Sequence, residues 1–504
     1  MFPVRNLIPI ATAALLAQAA DRPQFGTAWS RNMTSGERGL PDSFDPASGR
    51  GVRWSVPLGG SGSESHSTPV VAGGHVYVGT NNEAPRDPRR TGDRGVFLCL
   101  SEKTGALVWQ LVVPKREEDI YHDWPKTGMS SPATVEGDRV YLVDNRGVVL
   151  CLDAKGLANG NQGGTNEAAY YTPKSTNGIP VGPELPLGPL DADILWSFDL
   201  TREAGIWSHD AAHSSILVDG DLLYLNTGNG VDNTHRLIRR PDAPSLVVLD
   251  RHTGRWLAQD GLGIGPRIFH CTWSSPSMAR VDGRKRILFA GGDGVLYGFD
   301  PFRPRRVQDG VARLEEVWRF DVDPEAPKSE VATYLNNRRT SPSNIYGMPV
   351  VDGDRIFVAG GGDWFWGKNE AWVKCLRAGG RGDRTKEATV WSHPLGRHTM
   401  STPAVADGLV FAADSMRTFH CLDAATGEAV WTHELDGEVW ASALVADGKV
   451  YIGSRRGGFY TFALSRTKRL LGEVHLDAPI SATSVAANRV LYVGTGRTLY
   501  ALTR

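Results

Sequence analysis

A short apolar stretch, a tight turn and a second apolar stretch recur along this chain. The first copy, STPVVAGGHVYVGT, places alternating apolar and polar positions on either side of a Gly-Gly turn. This alternation predicts β-strands with one buried face, and the turn between them predicts a hairpin. Eight such copies occupy residues 67–80, 130–144, 214–228, 274–292, 347–361, 401–414, 442–454 and 481–495.

Each hairpin is followed by two further predicted strands. The third strand ends near a small residue, and a Thr-Gly turn then leads to a strand that carries Trp, as in CLSEKTGALVW (99–109) and CLDAATGEAVW (421–431). Four antiparallel strands repeated eight times predict an all-β fold, an eight-bladed β-propeller of four-stranded blades. The Trp position is filled by Trp109, Trp196, Trp318, Trp391 and Trp431, and by Ala258 and Leu471 in two other copies.

The Trp and Cys residues of the repeat have predicted structural roles. A flat indole ring suits the wedge-shaped seam between two blades, and its burial contributes about 1.5–3 kcal/mol. The small-residue position of the third strand is taken four times by cysteine, which predicts buried thiols in different blades, too far apart to form disulfides. These residues are Cys99, Cys151, Cys375 and Cys421.

The two ends of the repeat region complement each other. The eighth copy stops after three strands at LYALTR (499–504), and GVRWSVPL (51–58) supplies a fourth strand with Trp54 in the Trp position. Closing the last blade with this N-terminal strand removes an exposed sheet edge. We therefore expect one propeller domain over residues 51–504, preceded by an N-terminal extension at 21–50.

The first twenty residues are typical of a secretory signal peptide. Arg5 precedes the apolar run LIPIATAALLA (7–17), and Ala17-Gln18-Ala19 forms an A-x-A cleavage pattern. A disordered apolar tail is the alternative. The signal predicts export to the periplasm or the extracellular space, and no later segment has the length and apolarity of a membrane span.

Charge and short motifs exclude several functions. The formal net charge is −1, from 55 basic and 56 acidic residues, so the chain has no overall field that favours nucleic acid. It has no phosphate-binding G-x-x-x-x-G-K-[ST] loop and no G-x-S-x-G nucleophile turn. We expect a monomer that binds a protein partner, a glycan or a small molecule, without nucleic acid.

The repeat A-x-D-x-x-T-G-x-x-x-W resembles that of the pyrroloquinoline quinone (PQQ) repeat family, and the resemblance covers residues 51–504. That family includes quinoprotein alcohol dehydrogenases and BamB-type subunits of the outer-membrane assembly machinery. The first group implies PQQ and Ca²⁺ as cofactors, and the second implies a protein partner. The chain departs from both: it has no adjacent cysteines, no lipid-accepting cysteine after the signal, and no recognisable set of Ca²⁺ ligands.

Polar and aromatic residues gather just before the innermost strands, at one mouth of the predicted channel. These lead-in segments are GSESHSTP (62–69), IWSHDAAHSS (206–215), RIFHCTWSSP (267–276), GRHTMSTP (396–403) and GEVWAS (437–442). A closed ring brings them together, which predicts a ligand site of imidazoles, carboxylates and indoles. The candidate residues are Glu64, His66, His209, Asp210, His213, His270, Trp273, His398, Glu438 and Trp440.

Two interpretations of this mouth remain open. The first is an exported binding or scaffold protein with its ligand at the His-rich mouth. The second is an enzyme that uses the same mouth, as a quinoprotein-like oxidoreductase or a sugar-active propeller, in which imidazoles bind a metal or transfer protons. Hydration of ordinary polar residues at a channel mouth is the simpler alternative to both.

Three other stretches carry unusual residues. YHDWPKTGMSSP (121–132) adds His122, Asp123 and Trp124 to the mouth. NTGNGVDNTHRLIRRPDAPS (226–245) has oxygen donors for Ca²⁺ but lacks a regular Ca²⁺-loop spacing, so a structured surface loop is the preferred interpretation. GGGDWFWGKNEAW (360–372) predicts inter-blade packing, with a carbohydrate-stacking or partner-binding patch as the alternative.

Overall fold

The computed structural model describes residues 20–63, 65–116, 124–174, 179–209, 214–281, 283–304 and 310–504. Over these ranges the chain forms eight sheets, each built on four antiparallel strands, which confirms the predicted all-β fold with eight four-stranded blades. Buried apolar clusters lie between neighbouring blades, so the core is a ring of inter-blade contacts.

The strands of the first four blades, from the innermost outward, follow chain order. Blade 1 consists of Val70–Ala72, His75–Asn81, Arg94–Ser101 and Leu107–Pro114. Blade 2 consists of Thr134–Glu136, Arg139–Val143, Val148–Asp153 and Ile194–Asp199. Blade 3 consists of Leu217–Asp219, Leu222–Asn226, Leu246–Asp250 and Trp256–Gln259. Blade 4 consists of Ser277–Val281, Arg284–Ala290, Val295–Phe299 and Glu316–Asp321.

The remaining blades repeat this order. Blade 5 consists of Val350–Asp352, Arg355–Gly362, Ala371–Arg377 and Thr389–Leu395. Blade 6 consists of Ala404–Ala406, Leu409–Ala413, Thr418–Asp423 and Ala429–Glu434. Blade 7 consists of Leu444–Ala446, Lys449–Gly453, Gly458–Ala463 and Leu470–His475. Blade 8 consists of Val485–Ala487, Val490–Gly494, Thr498–Leu502 and Val52–Pro57.

Short elements decorate the ring. Two-residue strands add to blades 7, 3, 5 and 4, namely Thr34–Ser35, Ala312–Arg313, Ser343–Asn344 and Gly382–Asp383. Among the described residues, short α-helices span Glu167–Tyr171 and Leu200–Glu203. Single-turn 3₁₀ helices in the same part of the chain span Gly156–Asn159, Gly265–Arg267 and Val331–Tyr334.

The last blade is closed by the N-terminal strand, as predicted. Val52–Pro57 pairs antiparallel with Thr498–Leu502, and Trp54 lies opposite Ala501. The indole nitrogen of Trp54 donates a hydrogen bond to the Glu102 carbonyl of blade 1, at 2.9 Å. The closing strand therefore joins blade 8 to blade 1 by side-chain contact as well as by backbone pairing.

The predicted packing of Trp against a seam is confirmed, and the small residues explain how it fits. Cys99 lies directly opposite Trp109, and Cys421 directly opposite Trp431, in the antiparallel ladder. A small side chain on the third strand leaves room for the ring. The four cysteines of this position are buried and form no disulfide among the described residues.

Residues 20–37 of the N-terminal extension run along the inside of the ring, a path that the sequence pattern does not predict. The segment bonds to residues in or next to the innermost strand of every blade, which line the central channel. Its contacts, by blade number, are Arg22 with Val71, Pro23 with Val135, Arg31 with Ser215, Trp29 with Met278, Ser30 with Val351, Asn32 with Val405, Met33 with Val445 and Ser35 with Ala486.

Arg31 anchors this segment. Its side chain is fully buried, and its guanidinium donates hydrogen bonds to the Pro276 carbonyl at 2.9 Å, the Phe25 carbonyl at 2.9 Å and the Ser215 carbonyl at 3.1 Å. A buried guanidinium is tolerated when its donors are satisfied in this way. The segment fills the channel beneath the mouth, and Phe25 reaches the cavity above it.

Candidate functional site

A cavity of about 740 Å³ opens at the mouth where the innermost strands begin. Its size falls within the range of small-molecule sites. In seven blades the residue two positions before the innermost strand contributes to its wall, and Phe25 of the N-terminal segment contributes from below. These seven residues are Thr68, Pro132, Ser275, Met348, Thr402, Ser442 and Thr483. The channel is therefore a closed-bottomed pocket at this end.

Aromatic rings form much of the cavity wall. Trp273 and Tyr346 are stacked, with ring centroids 4.6 Å apart, and His66 stacks on Trp440 at 5.5 Å. The guanidinium of Arg455 lies 3.8 Å from the Trp440 ring centre, a cation–π contact that fixes this indole from one side. Two pairs of oriented rings therefore face a common space.

Three histidines converge at one side of the cavity. The Nε2 atoms of His209 and His270 are 3.0 Å apart. The ring centroid of His235 lies 4.9 Å from that of His209 and 5.4 Å from that of His270. One ring nitrogen from each residue can be chosen so that all three lie within 4.8 Å of one another.

Blades 3 and 4 position these three imidazoles. His209 precedes the innermost strand of blade 3 and His270 precedes that of blade 4. His235 lies on the loop between the second and third strands of blade 3, residues 227–245, which packs against His270 through a Val231 N–H to His270 carbonyl bond of 3.0 Å.

Asp232 gives the His235 loop its shape. This buried carboxylate accepts hydrogen bonds from the Thr234 hydroxyl at 2.6 Å and from Arg239 Nε at 3.2 Å. The His235 N–H donates to the Asp232 carbonyl at 2.9 Å, and His235 adopts a left-handed backbone with φ of 57°. The loop thus folds back over the mouth, and the oxygen donor considered for Ca²⁺ is used to hold it.

Asp363, which follows the second strand of blade 5, supports the cluster from behind. Its Oδ2 lies 3.0 Å from His270 Nδ1 and accepts a hydrogen bond from the Tyr346 hydroxyl, and its Oδ1 accepts one from the Trp366 N–H at 2.6 Å. Burial alone would raise the pKa of Asp363, but the electrostatic interaction with His270 and these hydrogen bonds outweigh it and lower the pKa. The carboxylate therefore stays ionised and holds a proton on His270 Nδ1.

The environment of His235 favours its neutral form. Burial lowers its pKa, and the neighbouring His270 lowers it further, against the opposing effect of Asp363. A neutral imidazole presents a lone pair, which is the form that binds a metal or accepts a proton. Burial also lowers the pKa of His398, which lies outside this cluster.

The structure brings together part of the predicted site. His66, His270, Trp273 and Trp440 line the cavity, together with Trp124 from the adjoining lead-in segment. His209 lies in the histidine cluster. Two other predicted residues that the structure describes, His398 and Glu438, lie outside the cavity lining.

His398 packs against Trp364, with ring centroids 5.5 Å apart, and does not line the cavity. Glu438 lies beside Arg455, with a carboxylate oxygen 3.9 Å from its Nε. Glu64, Asp210 and His213 lie outside the described residues, as do His122 and Asp123.

Sequence reasoning did not assign His235, Tyr346 or Asp363 to this site, and it preferred inter-blade packing for GGGDWFWGKNEAW. Phe365 and Trp366 of that stretch instead line the cavity. Trp366 and His235 are in contact, with ring centroids 4.7 Å apart. The unusual density of aromatic rings in that stretch was the sequence feature that could have indicated a binding site. The position of these rings, however, depends on the conformation of the loop after Gly362.

The described lining does not fit a PQQ–Ca²⁺ pair. Ca²⁺ takes six to eight oxygen ligands, chiefly carboxylates and carbonyls. The described lining residues include no Asp or Glu, and they include no Lys or Arg to match the carboxylates of the quinone. The site offers imidazole nitrogens, hydroxyls and aromatic rings instead.

Comparisons with solved structures recover the propeller. A europium-containing methanol dehydrogenase is similar with a TM-score of 0.61 at 12% identity, covering 96% of this chain and 98% of the other. BamB from Moraxella catarrhalis is similar with a TM-score of 0.52 at 11% identity, covering 90% and 97%. At these identities the likeness concerns the fold. No curated protein sequence matches the chain.

The described residues include no helix with the length and apolar character needed to cross a bilayer. A family model described as outer membrane protein assembly factor BamB matches residues 42–307 and 380–504, which is more than half of the chain. The repeat, the eight closed blades and this match agree: the chain belongs to the BamB-like family of PQQ-repeat β-propellers.

Proposed function

We propose that this chain is an exported binding propeller whose mouth cavity takes a small, neutral, hydroxyl-rich ring molecule such as a sugar unit. The observation that carries the proposal is the cavity of about 740 Å³ walled by two stacked pairs, Trp273 with Tyr346 and His66 with Trp440. Rings of this kind supply apolar faces on which a sugar packs. The sequence of the first twenty residues supports export.

The polar part of the wall supports a neutral ligand. Hydroxyl groups from Thr68, Ser130, Ser275, Thr402 and Ser442 are distributed around the cavity, and the described lining has no charged carboxylate, ammonium or guanidinium group. Hydroxyls donate and accept hydrogen bonds, as the hydroxyls of a sugar do. A highly charged organic ligand would lose its hydration in the metal-free cavity without a paired charge in return.

A scaffold role with a protein partner is the second candidate. It is supported by the family match, whose description names an assembly factor. The two roles are compatible because the cavity occupies only the mouth of the ring. The cavity nevertheless favours a small ligand over a flat protein surface, since concave aromatic pockets are typical of small-molecule sites.

Binding of a panel of neutral mono- and oligosaccharides tests the proposal. We expect saturable quenching of tryptophan fluorescence, measured in EDTA and again with Zn²⁺. Trp440→Ala should weaken binding about 10-fold, corresponding to roughly 1.4 kcal/mol of lost stacking and burial. The matched control is Trp372→Phe, because Trp372 contacts Lys374 in blade 5 and does not line the cavity.

Equal affinity in the Trp440→Ala and control variants would place the ligand elsewhere. A panel that gives no saturable signal in either buffer, with protein shown to be folded by its melting transition, would remove the cavity as a sugar site.

A further inference from the structure

We propose that His209, His235 and His270 form a binding site for a divalent transition metal of the Zn²⁺ class, with one coordination position open to the cavity. The site uses ring nitrogens from three separate chain segments of blades 3 and 4. Metal binding at this site requires no organic ligand, so the proposal does not depend on which organic ligand the cavity binds.

The nitrogen spacing fits a metal ion. Zn²⁺–N bonds of about 2.0–2.1 Å in a tetrahedron place neighbouring nitrogens about 3.3 Å apart. His209 Nε2 and His270 Nε2 are 3.0 Å apart, and a nitrogen of His235 completes a set within 4.8 Å. Metal binding at this spacing requires the half-buried His235 imidazole to move closer to the other two rings.

Asp363 orients one ligand for this role. Its carboxylate holds the proton on His270 Nδ1, so the lone pair of His270 lies on Nε2, the atom that faces His209. A carboxylate behind a metal-binding histidine fixes the tautomer and raises the basicity of the ligand. Asp363 is therefore a positioning residue, and the Tyr346 hydroxyl and Trp366 N–H hold it in place.

The donor set selects the class of metal. Imidazole suits Zn²⁺, Cu²⁺, Ni²⁺ and Fe²⁺, whereas Ca²⁺ and Mg²⁺ prefer oxygen. His235 and His270 both line the cavity, so the fourth position faces it. Three protein ligands with an open position are typical of zinc sites that bind water or an oxygen of a ligand.

A direct hydrogen bond between two imidazoles is the competing explanation of the 3.0 Å contact. In that arrangement His209 Nε2 carries a proton and donates it to His270, and His235 is only a neighbour in the aromatic wall. The two explanations differ in whether the purified protein binds one equivalent of metal, and in whether His235 matters for it.

Two titrations of the metal-free protein distinguish the metal site from the imidazole hydrogen bond. Zn²⁺ binding is followed by calorimetry, and Co²⁺ binding is followed by visible absorption. We expect one equivalent of metal and the strong absorption of four-coordinate Co²⁺. His235→Ala and His270→Gln should weaken binding by about 100-fold or more, since loss of an outer partner alone costs 10–100-fold. Asp363→Asn should weaken it by about 10–100-fold while the four-coordinate spectrum persists.

His252→Ala is the matched control, because His252 is an exposed histidine of the same blade that pairs with Asp221. It should bind metal as the unchanged protein does, and the melting transition of each variant checks its fold. The proposal fails if the unchanged protein binds no stoichiometric metal, if His235→Ala retains full affinity, or if bound Co²⁺ shows a six-coordinate spectrum.

Discussion

Individual tryptophan side chains join neighbouring blades of this ring. The Trp391 indole of blade 5 donates a hydrogen bond to the Ala424 carbonyl of blade 6 at 3.0 Å, and its ring covers the Thr-Gly turn at Gly427. Trp109 and Trp431 make equivalent hydrogen bonds to Ala154 and Ser465 of the following blades. The repeat motif therefore combines a turn, a cover for that turn and a satisfied indole donor.

Substitution of two glycines of blade 6 separates the effect of indole packing on stability from the effect of backbone strain. Gly427 and Gly408 both have positive φ, 76° and 72°, but only Gly427 faces a ring: a Cβ added there would lie 2.5 Å from the Trp391 indole. Gly408→Ala should cost about 1–2 kcal/mol from its left-handed backbone. Gly427→Ala should cost about 1–3 kcal/mol more, from overpacking against the indole.

Urea denaturation measures the two free energies of unfolding. Equal losses in the two variants would show that the indole contact adds nothing to the turn.

At the scale of elements, two irregular segments shape the mouth cavity of a regular ring. The loop at 227–245 carries His235 to the mouth, and residues 20–37 fill the channel below it. Both depend on one buried charged side chain, Asp232 in the loop and Arg31 in the N-terminal segment. Buried charges with satisfied hydrogen bonds fix one conformation, because losing their partners is costly.

Arg31→Met should destabilise the protein by at least about 3 kcal/mol. The change removes the donors to three carbonyls, the buried ones of Pro276 and Ser215 and the partly buried one of Phe25, and each carbonyl left without a partner costs about 1–3 kcal/mol. Arg38→Met is the control, since Arg38 is exposed in the same extension and should change stability by less than about 0.5 kcal/mol.

Unfolding in urea gives the two values, and limited proteolysis reports whether the extension stays in the channel. A stable Arg31→Met protein with an uncut extension would contradict the anchoring role of this guanidinium.

At the scale of the whole molecule, the repeat determines the architecture while the departures from it determine the site. The eight hairpin copies and the Thr-Gly turns that lead to Trp-bearing strands were sufficient to predict eight blades, and the strand with Trp54 was sufficient to predict the closure of the last one. The location of four residues at the mouth could also be predicted, because lead-in segments converge in any closed ring. These residues are His66, His270, Trp273 and Trp440. The locations of His235 and Asp363 could not be predicted, since they depend on loop conformations that do not repeat from blade to blade.

The path of the N-terminal extension could not be predicted from the sequence for a similar reason. Residues 20–37 have no repeat partner, and their contacts are largely backbone hydrogen bonds that many sequences could make. A propeller fold also leaves function open, because similar rings carry unrelated sites. The mouth cavity and its three histidines, rather than the ring, therefore carry the evidence for a function of this chain.

Anomalous diffraction from crystals of the Co²⁺-loaded protein tests most directly whether the mouth is a functional site. We expect one dominant peak on the cavity wall, about 2.0–2.2 Å from one nitrogen each of His209, His235 and His270, with its open side toward Trp366. A dominant peak at another cluster, or crystals of loaded protein with no peak between these imidazoles, would contradict it.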